Sequence, residues 1–197
     1  MGKIFKKTTL GRDYNNMKKT LRIGATGVAI VAAMGMSSVA HADNADATAT
    51  AEILEALTLD VATGTSLDFG AMVVSADPGV DSVVSLAADG TLDCDDTNVV
   101  CSGTTGVPTF NVGGTASKAV TISLPTADVD LTHTNGVNTV VLGGFVTDAA
   151  DNAAGDPEVT LDGDGNGSFN VGGDITIESD DPAGIYTGSF NVSVEYS

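Results

Sequence analysis

The 197-residue chain carries 26 acidic residues against eight Lys and Arg, and seven of those eight (Lys3, Lys6, Lys7, Arg12, Lys18, Lys19 and Arg22) fall within the first 22 positions. Asp13 is the one acid before residue 43, so the rest of the chain sets 25 acids against Lys118, a formal charge of −24. That balance excludes a nucleic-acid binder built on phosphate contacts, while a composition 42% hydrophobic supplies enough apolar residues for a core.

The basic stretch is followed by an apolar run of small residues over 23–39, then by Ala40-His41-Ala42. This is the order of a secretory signal peptide, with Ala40 and Ala42 as the cleavage signal. A start at Met17 would give a shorter basic region of the usual length. The expected product is exported to the periplasm and then to the cell surface or medium, and keeps no transmembrane segment. Residues 43–197 are one domain's worth of chain. The predicted organisation is a signal peptide over 1–42, an N-terminal extension or first strand over 43–56, and a single β-sandwich over 57–197.

Residues 43–61, DNADATATAEILEALTLDV, alternate apolar and polar, with Ala45, Ala47, Ala49, Ala51 and Ile53 on one face. Period two predicts a strand, although residues 51–57 taken alone would also suit two turns of helix. Short apolar runs follow at 67–74, 82–88, 107–112, 119–124, 139–146, 168–171 and 175–178. Turn signals stand between them: Asp77-Pro78-Gly79, Asp89-Gly90, Gly113-Gly114, Asn135-Gly136, Asp162-Gly163 and Gly172-Gly173. Gly70, Gly143, Gly144 and Gly188 lie inside strand-like runs and mark bulges or close backbone approach. Phe110-Asn111-Val112-Gly113-Gly114 recurs at 169–173, and in part as Phe190-Asn191-Val192. The last run is the most regular. Tyr186, Phe190, Val192, Val194 and Tyr196 alternate with Thr187, Ser189, Asn191, Ser193 and Glu195. That is a strand with one face in a core and one in water. Eight to ten short strands with no convincing amphipathic helix predict an all-β, Ig-like sandwich.

Cys94 and Cys101 are predicted to form one local disulfide in an oxidising compartment, which stabilises the fold by roughly 2–3 kcal/mol. Asp162, Asp164 and Asn166 match the first half of an EF-hand-type loop, D-x-D-x-N-G. Its twelfth position is Gly173 rather than an acid, so calcium is the one metal ligand considered and the alternative is an acidic turn. Asn166-Gly167-Ser168 and Asn191-Val192-Ser193 match the glycosylation sequon. After residue 42 the chain holds a single histidine, His133, read as an exposed polar residue beside a turn. No nucleophile elbow, H-E-x-x-H or phosphate loop is present, so no enzyme is expected.

Leu67-Asp68-Phe69-Gly70, the stretch 110–125 and the stretch 185–196 together resemble the bacterial domain of unknown function 4402 family, secreted proteins of one Ig-like sandwich domain. The C-terminus is also similar to that of chaperone–usher pilus subunits. Gly184 stands fourteenth from the end, apolar residues alternate after it, and the penultimate residue, Tyr196, is aromatic. This likeness implies a structural subunit of a fimbria-like polymer. Gly184, Tyr186, Phe190, Val192, Val194 and Tyr196 would form the strand paired first by a periplasmic chaperone, at an outer-membrane usher, and then by the next subunit. Ala45, Ala47, Ala49, Ala51 and Ile53 would be the donor segment. The alternative is a self-complete secreted sandwich that binds calcium or a surface ligand and does not polymerise.

Overall fold

In the computed structural model the described residues are 44–75, 79–94 and 97–197. Ala40 and Ala42 therefore lie outside the described residues. Thr50–Ser197 forms one compact unit; of the other, Met1–Ala49, only 44–49 are described, and they carry no regular element.

Every regular element among the described residues is a strand. In order they are β1 (Thr58–Val61), β2 (Ala71–Val74), β3 (Ser82–Leu86), β4 (Leu92–Asp93), β5 (Val99–Ser102), β6 (Thr109–Gly113), β7 (Ala119–Ser123), β8 (Val129–His133), β9 (Thr139–Thr147), β10 (Ala150–Asp151), β11 (Pro157–Thr160), β12 (Asn166–Ile177), β13 (Tyr186–Thr187) and β14 (Ser193–Tyr196). The all-β sandwich predicted from the alternation is what forms. No described helix is long and apolar enough to cross a membrane. The larger sheet runs β1-β6-β12-β9-β8-β13, with β3 and β4 joined to it through β12. A second sheet runs β10-β11-β7-β14, and β2 and β5 form a two-stranded ribbon. All pairings are antiparallel.

The spine is β12. Its first half pairs with β6, its second half with β3, and its other edge with β9. It therefore supplies both cores. Phe169 and Val171 are buried with Phe110, Val112, Val120, Ile122 and Leu161. Ile175 and Ile177 are buried with Val84, Leu86, Val140 and Leu142. Gly172 and Gly173, predicted to turn the chain between two strands, lie instead inside this one strand of 12 residues. Their role is close approach. A Cβ on Gly172 would meet the Leu86 carbonyl oxygen and stand 2.7 Å from the Ala88 nitrogen. The β9 register shifts here, between Gly172 and Asp174, opposite Gly143 and Gly144.

Three further differences have local causes. The alternation over 43–61 becomes a strand only at β1, because residues 44–57 have no ladder partner among the described residues. The polar runs that form β8 and β11 carry too few apolar residues to stand out, although Val129, Leu131 and His133 do alternate inward; β5, Val99–Ser102, is apolar but only four residues long. Among the described residues the strands number fourteen rather than eight to ten, partly because dipeptide pairings such as β4 and β10 leave no pattern in the sequence.

The repeated FNV motif has a structural explanation. Phe110 and Phe169 face each other across β6 and β12, their rings stacked at 5.3 Å and 8°. Phe190 meets Phe110 at 6.4 Å and Phe145 at 4.9 Å. Each copy gives one Phe and one Val to the same core. Cys94 and Cys101 form the predicted disulfide, Cα to Cα 6.2 Å, and close the loop between β4 and β5 against the first core.

Gly172→Ala is expected to lower stability by about 1–3 kcal/mol through overpacking. Gly163→Ala, whose Cβ would meet nothing within 4 Å, is expected to change it by less than about 0.5 kcal/mol. Denaturant melts of the two variants check this. Replacing both Cys94 and Cys101 by Ser is expected to cost about 2–3 kcal/mol in the same assay.

Candidate functional site

Residues 184–196 occupy the ends of both sheets. β13 is the end strand beside β8, with Tyr186 opposite His133. β14 is the end strand beside β7, with Val194 opposite Ile122 and Tyr196 opposite Val120. The single strand predicted over this stretch is thus two short strands on different sheets. Between them residues 188–192 cross from one sheet to the other and have no backbone ladder partner among the described residues. The alternation survives the crossing. Tyr186, Phe190, Val192, Val194 and Tyr196 are all half-buried, and Thr187, Ser189, Asn191, Ser193 and Glu195 are exposed. Tyr186 packs on the first core, Val192, Val194 and Tyr196 on the second, and Phe190 on both.

Gly184 is set by its neighbour. A side chain there would run into the His133 ring, with Cδ2 at 2.7 Å. That ring is held on three sides. Its Nδ1 accepts the Asn135 N–H at 2.9 Å, so Nε2 donates to the Ala183 carbonyl at 3.2 Å. Tyr186 stands edge-on at 4.9 Å. His133 is therefore half-buried and structural rather than an exposed polar residue, and its contacts tie the β8–β9 turn to the segment before β13. The Tyr186 hydroxyl donates to the Pro182 carbonyl at 2.7 Å. Desolvation, and then the Asp181 carboxylate, raise the Tyr186 phenol above its ordinary value.

Beside this edge lies a cleft of about 530 Å³. One wall is residues 65–69 with Val61 of β1, and the other is residues 185–190. Phe69, Phe110 and Leu142 in its lining are buried, whereas Val61 and Ile185 at its rim are 52% and 66% exposed. The cleft leaves a seam between the loop after β1 and the chain around β13.

The other predicted site residues fall elsewhere. Ala45, Ala47, Ala49, Ala51 and Ile53 are exposed and in no strand, Ile53 to 93%. Asp162, Asp164 and Asn166 form the tight turn into β12. The Asp162 carboxylate accepts the N–H groups of Asp164 and Asn166 at 2.9 and 2.8 Å, and the Asn166 amide donates to the Asp164 carbonyl at 3.4 Å. One Asp162 oxygen is thus committed to the backbone, as in an Asx turn. No group of three or more metal-ligating His, Cys, Asp or Glu side chains occurs among the described residues. Asn191 of the second sequon is exposed, and Asn166 of the first lies in the turn.

The profile of the family described as domain of unknown function (DUF4402) matches residues 59–196, nearly all of the sandwich. The chain belongs to the DUF4402 family. The matched region begins within β1 and ends at the last residue of β14. No curated protein and no solved structure matches the chain.

Gly184→Ala is expected to destabilise the fold by about 1–3 kcal/mol because the His133 ring must move. Adding His133→Ala should recover part of that loss, and a double-mutant cycle by thermal or denaturant melts measures the coupling.

Proposed function

We infer that this DUF4402 protein is a structural subunit of a fimbria- or pilus-like surface polymer, assembled by strand donation. The observation that carries the reading is the open seam. The C-terminal segment lies on the end strands of both sheets with its apolar face only half-buried, and a cleft lined by both apolar and polar side chains separates part of it from the chain after β1. An end strand presents unpaired N–H and C=O groups, and a partner strand would pair them while covering the apolar seam. In this reading a periplasmic chaperone supplies that strand first, at an outer-membrane usher the next copy replaces it, and Ala45 to Ile53 is the donor. Four of the five donor side chains are alanine, which buries little apolar area. Ile53 is the donor's main apolar anchor. The reading includes export and processing after Ala42.

The test uses the exported chain purified from the periplasm. It is expected to form concentration-dependent oligomers in sizing experiments, and deletion of residues 43–53 is expected to abolish them. A synthetic peptide of residues 43–55 should bind the deletion variant and, near saturation, raise its Tm by about 5–10 °C. A chain that stays monomeric at every concentration, with no response of the deletion variant to the peptide, would instead support a self-complete secreted sandwich.

A further inference from the structure

The residues just before β1 have no strand partner among the described residues, yet they are held at four points. Glu52 Oε1 lies 2.6 Å from Lys118 Nζ. The Glu55 N–H donates to Thr115 Oγ1 at 2.7 Å. The Tyr196 hydroxyl donates to the Glu55 carbonyl at 2.8 Å and accepts the Thr115 N–H at 2.7 Å. Leu57 packs against the second core. These groups converge on Gly114, where a Cβ would stand 2.5 Å from the Tyr196 hydroxyl, 2.8 Å from Leu57 Cδ2 and 3.1 Å from Leu161 Cδ1. Any side chain at 114 would push the three apart. A phenol offers one donor and limited acceptor capacity. Here its hydrogen goes to Glu55, before β1, and a lone pair to the turn between β6 and β7. By contrast, Ile53, one residue past Glu52, is almost fully exposed.

We propose that residues 52–57 form a clasp, closed within one molecule by the Tyr196 hydroxyl, that fixes where the N-terminal segment leaves the sandwich. Tyr196 acts as a positioning residue. Its ring packs on the second core beside β14, and its hydroxyl fastens the segment before β1 to the turn after β6. The Glu52–Lys118 pair is solvent-exposed and guides the segment more than it holds it. The neutral hydrogen bonds at Tyr196 and Thr115, with the Leu57 contact, do the holding. The clasp stands whether or not the protein polymerises. If residues 45–53 serve as a donor, the clasp sets the point from which they reach.

Hydrogen–deuterium exchange on the exported chain, at a concentration where it is monomeric, tests this. Tyr196→Phe keeps the ring and removes both hydrogen bonds. It is expected to speed exchange about tenfold within 52–57 at the Glu55 amide, which is hydrogen-bonded to Thr115, with amides of β12 unchanged. Thr115→Val removes the acceptor of the Glu55 N–H and is expected to speed exchange at Glu55 by a similar factor. The proposal is overturned if exchange over 52–57 is unchanged in folded Tyr196→Phe, or if it rises equally in β12, which would make Tyr196 a general stabiliser. Should Tyr196→Phe fail to fold, Thr115→Val decides on the same readout. Loss of oligomers with an intact clasp, or the reverse, separates this proposal from the strand-donation reading.

Discussion

The structure depends on where the Phe110 ring is buried. It stacks on Phe169 across the β6–β12 ladder and meets Phe190 from the C-terminal segment. Burying one phenylalanine contributes about 1.5–3 kcal/mol, and an aromatic pair adds about 0.5–1.5 kcal/mol beyond its area. Residues 188–192 have no ladder hydrogen bonds among the described residues, and most of them face water. Their backbone groups can be satisfied by solvent, so the crossing costs little there. The segment is therefore pinned by a side chain at its middle and by short ladders at its ends. Phe190 ties the middle of the crossing to both cores, while Val192, Val194 and Tyr196 on the second core and the β7 ladder hold its far end.

This arrangement leaves sheet-end strands beside the cleft, and the charge of the chain bears on that exposure. An uncovered end strand is a template for unintended pairing. With 25 acids against one lysine after residue 42, copies repel one another at long range. Salt screens such repulsion beyond about 8–10 Å. Contact between copies is thus disfavoured until a strand is close enough for hydrogen bonds and apolar burial to dominate. Lys118, the one cation after residue 42, is itself engaged by Glu52.

Much of the sandwich was legible because period two reports a face directly. The alternation over 186–196 correctly gives which side chains turn inward. It could not give the change of sheet at 188–192, because a strand that crosses between sheets keeps the same parity. Gly172-Gly173 misled for a related reason. Two consecutive glycines are read as a turn from their conformational freedom, but here they are needed because the Leu86 and Gly143 carbonyl oxygens approach the spine. The FNV echo signalled a shared environment, yet the shared core was visible only once β6 and β12 were paired. The disulfide followed from two cysteines at short spacing together with the expected export to an oxidising compartment. The cleft and the His133–Gly184 contact join residues far apart in sequence, and no local pattern encodes them.

Tyr196 shows how one position can satisfy two demands that a sequence pattern merges. As the last inward residue of an alternating strand it needs only to be apolar, and phenylalanine would fill the same space. The hydroxyl adds a second requirement, since it reaches the Glu55 carbonyl and the Thr115 amide at the same time. Those two groups belong to segments with no ladder contact to β14. A phenol buried at its ring and polar at its tip is suited to such a junction, because the apolar part fixes the direction of the polar part. The alternation accounts for the ring, and only the fold accounts for the hydroxyl. The chain's last strand is thereby joined to the residues that precede its first.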